Sequence, residues 1–295
     1  MVTHLARTAA LLTLTLCAFA LQTAGASTDS SQAIAEGDQA WARRAEGHQG
    51  PRAVAGPIQQ AIDAYSAALA TAPDNLEARW KLLRAMYFQG EFVLDDDDER
   101  LDLFSQGREI ADTGRAQIEE HYGLTEDSLE MKPEEVAAAI GKDPLAAEIY
   151  FWSSTHWGLW GRYRGKIAAA RQGVATKIRK FAEIVILLDD TIENGGGHRV
   201  LGRLHAEAPK IPLVTGWISR DRAIGELRRA LEIAPQDLLT NLFLAEALLE
   251  FRPQKKEEAL EILRTIVDAT ADPVWLVEDS KTIEDAKAVL ASADR

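Results

Sequence analysis

A chain of 295 residues that is 46% apolar and 27% charged can bury a sizeable core and need not be disordered, so a globular protein is the default expectation. Its formal net charge of −13 disfavours nucleic acid and anionic membrane surfaces as partners. The one cysteine, Cys17, lies in the N-terminal apolar segment, so the rest of the chain can be neither stapled by disulfides nor armed with a thiol.

The chain opens with the lone basic Arg7, an apolar run from Ala9 to about Leu21 and the small-residue triplet Ala24-Gly25-Ala26. That order predicts a secretory signal over residues 1–26, cleaved after Ala26, and a periplasmic mature protein. The apolar run is shorter than the roughly 20 residues a bilayer span needs. Lipidation of Cys17 is disfavoured because Leu16 stands where the processing peptidase needs a small residue.

Beyond the leader, residues 27–295 read as one all-helical domain, since the β-branched alternation expected of strands is nearly absent. Predicted helices cover about 29–47, 57–72, 76–90, 99–121, 133–140, 145–163, 166–191, 198–207, 219–234, 238–250, 255–269 and 281–292, with Pro and Gly at the breaks. Two segments match each other, AIDAYSAALATAPDN from residue 61 and AIGELRRALEIAPQD from residue 223. Ala61 and Ala223 are followed four residues later by Tyr65 and Leu227. Ala68-Leu69 and Ala230-Leu231 then precede Pro73 and Pro235. Small alanines allow close helix approach, the large residue fills the gap, and proline ends the helix. The pattern resembles the second helix of a tetratricopeptide repeat. A partner helix follows each time, with Leu82, Ala85 and Tyr87 or Leu244, Ala245, Ala247 and Leu248 on its packing face. A further helix carries Ala259, Leu263 and Ile266, and Phe104, Gly107 and Ala111 keep the spacing near residue 100. Such hairpins must stack to cover their apolar faces, so the expected fold is a tetratricopeptide-like helical-hairpin solenoid with irregular central helices.

The acidic run Asp95 to Glu99 lacks the spaced ligands, glycine and terminal Glu of a calcium loop and reads as a solvated connection. The densest constellation is AAEIYFWSSTHWGLWGRYRG, residues 146–165. Ile149, Trp152, His156, Trp160 and Tyr163 fall along one stripe, with Tyr150 and Trp157 beside it. Such a stripe serves either as core or as the wall of a ligand cavity, with indole N–H groups and His156 orienting the ligand. Tyr150, Trp152, His156, Trp157 and Trp160 are therefore candidate ligand-binding residues.

Next comes AEIVILLDD followed by ENGGGHRVLG, an arrangement that imitates a phosphate-binding strand, loop and helix. Neither the lysine and hydroxyl of a P-loop nor the last glycine of a dinucleotide fingerprint is present. Val174, Ile178, Phe181, Val185, Leu188 and Ile192 instead make a helical stripe, which predicts one long helix ended by Gly195 to Gly197. Arg199, at the fresh N-terminus of the next helix, is a candidate anion partner. The histidines show no zinc spacing, and no nucleophile elbow occurs, so neither metal, cofactor nor enzymatic activity is expected.

These residues together resemble the T-component family associated with tripartite ATP-independent periplasmic (TRAP) transporters. The resemblance runs from about Ala53 to Leu290. It rests most on Trp152, Trp157 and Gly158, on the joint from Gly196 to Arg199, on Gly202 and Pro209, and on the helix that ends at Pro235. The loop from Lys210 to Asp221 is longer than the family's usual link. The resemblance implies a non-enzymatic periplasmic accessory protein. Its partner would be a substrate-binding protein, its ligand a hydrophobic or carboxylated small molecule, and a homo-oligomer its assembled form. A general periplasmic scaffold for envelope assembly, with no small-molecule ligand, is the competing expectation.

Overall fold

In a computed structural model of the chain, residues 30–124, 129–212 and 214–293 are described. The expected leader and Cys17 lie outside them. Among the described residues the protein is all-helical, and its extended pairing is limited to an isolated bridge between Gln49 and Arg52. Helix α1 covers 30–42, followed by α2 (Ala55–Thr71), α3 (Leu76–Phe92), α4 (Asp97–His121) and α5 (Pro133–Ile140). The central helices are α6 (Pro144–Arg164), α7 (Lys166–Arg171), α8 (Val174–Leu188) and α9 (Ile192–Glu207). The chain ends with α10 (Arg220–Ile233), α11 (Leu238–Phe251), α12 (Lys256–Val267) and α13 (Leu276–Ala293). Among the described residues no helix is long and apolar enough to cross a membrane.

Local chemistry sets these boundaries. The side chains of Asn75, Asp96, Asp143, Ser219 and Asp237 each accept a hydrogen bond from a backbone N–H in the first turn that follows, satisfying donors that lack an intrahelical partner. Asp97, Asp98 and Glu99 then fall in the first turn of α4, where the helix dipole favours negative charge. The acidic run is thus a helix start as well as a connection.

Successive helices pack on one another as stacked hairpins, the architecture of a helical solenoid. The repeat positions do what their spacing predicts. Ala61, Tyr65 and Ala68 are buried in α2, Ala223, Leu227 and Ala230 in α10, and Ala259, Leu263 and Ile266 in α12. In the irregular centre α6 packs against α3, α4, α8 and α9 and is buried on most of its circumference. Glycine sockets make this possible: a Cβ on Gly107 of α4 would lie 2.1 Å from His156 Nδ1, and one on Gly90 of α3 would lie 2.3 Å from the Phe104 ring.

The helix expected over 166–191 is corrected in two places. Gly173, left-handed at φ 64°, separates α7 from α8. At the other end α8 stops at Leu188 because Asp189 is extended, six residues before the glycines that were expected to stop it. The apolar stripe is otherwise sound, with Val174, Ile178, Phe181, Val185 and Leu188 all buried.

The stack also returns on itself. Val277 of α13 is fully buried in the N-terminal core with Ile58, Tyr65 and Phe88. Beside it the Arg44 guanidinium donates from Nε to Glu278 at 2.9 Å and from Nη2 to the Val274 carbonyl, while lying over the rings of Trp41 (4.3 Å) and Trp275 (5.4 Å). The last helix thereby meets the first.

Candidate functional site

The closed stack surrounds a concave cavity of about 1980 Å³. Its wall is built from α3 (Tyr87, Glu91), α6 (Phe151, Trp152, Leu159, Arg162), the α9 joint (Glu193, Asn194, Arg199), α11 (Leu242, Phe243), Trp275 just before α13 and Glu278 within it. Steps of three and four along α6 explain its share: Trp152, Thr155, Leu159 and Arg162 fall on one stripe that faces inward.

Of the six residues singled out in the sequence, Trp152 and Arg199 line this cavity. The other four are core or sit on the opposite side of α6. Tyr150 is 1% exposed, packs on the Phe181 ring and donates to Glu119 at 3.3 Å. His156 is fully buried between α3 and α4, its Nε2 2.9 Å from the Leu83 carbonyl. Burial pushes its pKa down to about 4, so the ring is neutral and donates Nε2–H to that carbonyl. Trp157 donates to Asp112 at 3.0 Å and is covered by Lys177 and Arg108, and Arg108 also covers Trp160. The aromatic helix is therefore mostly a structural axis, with one tryptophan in the wall.

Arg199 is engaged within the chain. Its Nη2 donates to the Glu193 carbonyl at 3.0 Å, and its Nη1 lies 3.6 Å from Asp237. It ties the joint between α8 and α9 to the start of α11. At that joint Glu193, Asn194 and Gly195 are all left-handed, with φ of 47°, 58° and 75°. Two consecutive non-glycine residues in that region are costly, of order 1–3 kcal/mol each, and hold only where the surroundings fix them. Gly196 and Gly197 are helical, and their lack of a side chain serves packing. A Cβ on Gly196 would lie 2.5 Å from the Phe151 ring, and one on Gly197 2.8 Å from Ile186. The corner thus falls at Glu193 to Gly195, and of the three glycines expected to end the preceding helix only Gly195 takes part in it, Gly196 and Gly197 belonging to the next helix.

A set of interacting charged residues carries no sequence motif: Glu193 and Glu278 in the cavity wall, with Glu148 and Arg84 behind it. Glu148 accepts from Trp152 Nε1 at 3.2 Å. Burial, reinforced by the charge of Glu193, pushes its pKa up to about 7. Burial also raises Glu193, against the opposing pull of Arg84 and Arg199. Arg84 lies between the rings of Trp41 (4.0 Å) and Trp80 (4.8 Å), and its buried Nε has no hydrogen-bond partner. Glu278 is raised by burial even though Arg44 is bonded to it, so desolvation outweighs the ion pair there. The only signal available in the sequence was the four-residue spacing of Glu148 and Trp152.

Among the described residues no three His, Cys, Asp or Glu side chains gather where a metal ion could sit. No protein-family model matches this chain, and no curated protein matches it significantly.

Proposed function

We propose that the protein is a non-enzymatic accessory of a periplasmic solute-uptake system of the TRAP type. In this reading it docks a substrate-binding protein and accommodates the solute, or a lipid-like companion, in its central cavity. The observation that carries the proposal is the cavity itself. A stack of helical hairpins needs no internal space of about 1980 Å³ for stability, and this one is walled by Tyr87, Phe151, Trp152, Phe243 and Trp275. The tetratricopeptide-like spacing of the hairpins supports a partner-docking role, because stacked hairpins offer an extended curved surface. The resemblance of residues 145–250 to the T-component family supports the transporter context.

Affinity capture from a periplasmic extract with the mature chain on resin, followed by mass spectrometry, tests this. The proposal expects a periplasmic substrate-binding protein as the enriched partner. Enrichment of outer-envelope assembly factors alone would favour a general scaffold and refute it.

A further inference from the structure

We infer that the central cavity takes the ammonium group of an apolar amine, with the Glu193 carboxylate as its counter-ion and the rings of Tyr87, Phe151 and Trp152 packing on its apolar body. This rests on the cavity being a ligand site, and it goes beyond the proposed function by fixing the sign of the ligand's charge.

The argument starts from which charges in the wall are already used. Arg162 reaches Glu91 (3.7 Å) and Glu207 (3.9 Å), Arg199 reaches Asp237, and Arg203 is bonded to Glu207 and Glu246. Arg220 donates to the carbonyls of His205 and Ala206, Lys256 to that of Ala293, and Lys281 to Asp285. The exposed Lys166 is the remaining basic residue among the described lining residues. A ligand carboxylate would have to take a guanidinium from an existing partner, leaving that partner unpaired in a partly buried wall.

Carboxylates outnumber basic groups in the same wall, and the half-buried Glu193 is one that no ion pair engages. Among the described residues its carboxylate has no hydrogen-bond donor, and its interactions are with charges at a distance: Arg84 on α3, Arg199 on α9, Asp237 before α11 and Arg44 after α1. Arg44 is neutralised by Glu278 and Arg199 by Asp237. What remains is one guanidinium, Arg84, facing two carboxylates, Glu148 and Glu193, with Asp189 contributing further negative charge to Glu148. The surplus is negative, and an ammonium group would cancel it. Burial raises the pKa of both glutamates, so an ammonium group beside them would favour their ionised form.

The aromatic groups are placed to suit the same ligand. Tyr87 and Trp152 have ring centroids 5.6 Å apart, Phe151 and Trp152 are edge-to-face at 5.0 Å, and Trp152 is also the donor to Glu148. Aromatic faces beside a carboxylate attract a cation through the ring quadrupole and cover its hydrocarbon portion.

The test uses three probes of one shape: 2-phenylethylammonium, 3-phenylpropanoate and 3-phenylpropan-1-ol, titrated into the full mature chain at pH 7.5 by isothermal calorimetry. One charge-assisted hydrogen bond predicts at least about tenfold tighter binding of the ammonium probe than of the carboxylate. Glu193→Gln should lose about tenfold for the ammonium probe and leave the alcohol unchanged. Glu148→Gln should show a smaller loss in the same direction, and it supplies the answer if far-UV circular dichroism shows Glu193→Gln to be misfolded. Equal or tighter binding of the carboxylate, no binding of the ammonium probe, or no effect of either substitution overturns the inference. Capture of a substrate-binding protein alongside a preference for the carboxylate would overturn the inference alone and leave the uptake role standing.

Discussion

Gly202 on α9 faces α10, and a Cβ added there would lie 2.5 Å from Leu227 Cγ, 2.9 Å from its Cδ2 and 3.2 Å from the Ala223 carbonyl oxygen. Leu227 and Ala223 are fully buried and cannot swing into solvent. Gly225, on α10, is exposed and has nothing within 4 Å of its ideal Cβ. Both glycines are helical, so replacement by alanine brings the same gain in helix propensity, up to about 1 kcal/mol. Only Gly202→Ala adds an overpacking cost of about 1–3 kcal/mol. Gly225→Ala is therefore expected to stabilise the protein, and Gly202→Ala to fall below it by about 1–3 kcal/mol, several degrees in Tm. Urea unfolding followed by far-UV circular dichroism measures both, with an unchanged m-value identifying a native-state effect. Leu227→Ala supplies the internal check: its own cost, about 2–5 kcal/mol, should shrink in the Gly202→Ala background because the new methyl fills part of the space it vacates. Equal stability of the two single glycine variants would refute the close packing of α9 on α10.

Three further outcomes follow from the buried polar groups. Arg44→Met removes the partner of Glu278, a carboxylate that burial already holds above its ordinary range, and is expected to cost about 2–4 kcal/mol and raise hydrogen exchange selectively in α13; Glu278→Gln in the same chain should recover part of the loss. The imidazole of His156 is held near 4 in the folded state against 6.5 ordinarily, so its contribution is whole above pH 6.5 and is lost as pH falls toward 4. His156→Gln should therefore shrink the drop in stability between pH 7 and pH 4.5 by roughly 3 kcal/mol, leaving the smaller share that His205 contributes in the same window. Glu148 has the opposite sign: raised from 4.5 to about 7, it contributes fully below pH 4.5 and loses that contribution as pH rises through 7. Glu148→Gln, which can still accept from Trp152, should exceed the native chain in stability by about 1–2 kcal/mol at pH 8 and match it at pH 4.5, as read by thermal unfolding at the two pH values.

The fold was legible because helix periodicity, capping residues and the alanine, leucine and proline repeat all point to one arrangement. Ala61, Tyr65, Ala68 and Ala223, Leu227, Ala230 are buried as their spacing requires. The long helix over 166–191 was misread because Gly173 and Asp189 interrupt a stripe whose apolar spacing continues across both. Periodicity reports which face is covered and is blind to a single extended or left-handed residue. The aromatic helix posed the opposite difficulty. Its composition advertises a site, yet four of its five chosen residues fill the core because α3, α4, α8 and α9 all pack against α6, a fact that only the three-dimensional arrangement supplies. Glu148, Glu193 and Arg84 carry no mark in the sequence at all. They come together because α6 packs against both α3 and α9, a juxtaposition that no local spacing encodes.

That closure is the claim on which cavity, counter-ion and ligand all depend. Trp275→p-benzoylphenylalanine places a photo-reactive ring where the native indole lies over Arg44, beside Trp41. Irradiation of the dilute protein followed by tryptic mass spectrometry should return an intrachain cross-link between the peptide that carries position 275 and residues 41–44. Cross-links confined to α11, α12 and solvent, with none to α1, would mean that the stack is open and that it encloses no cavity.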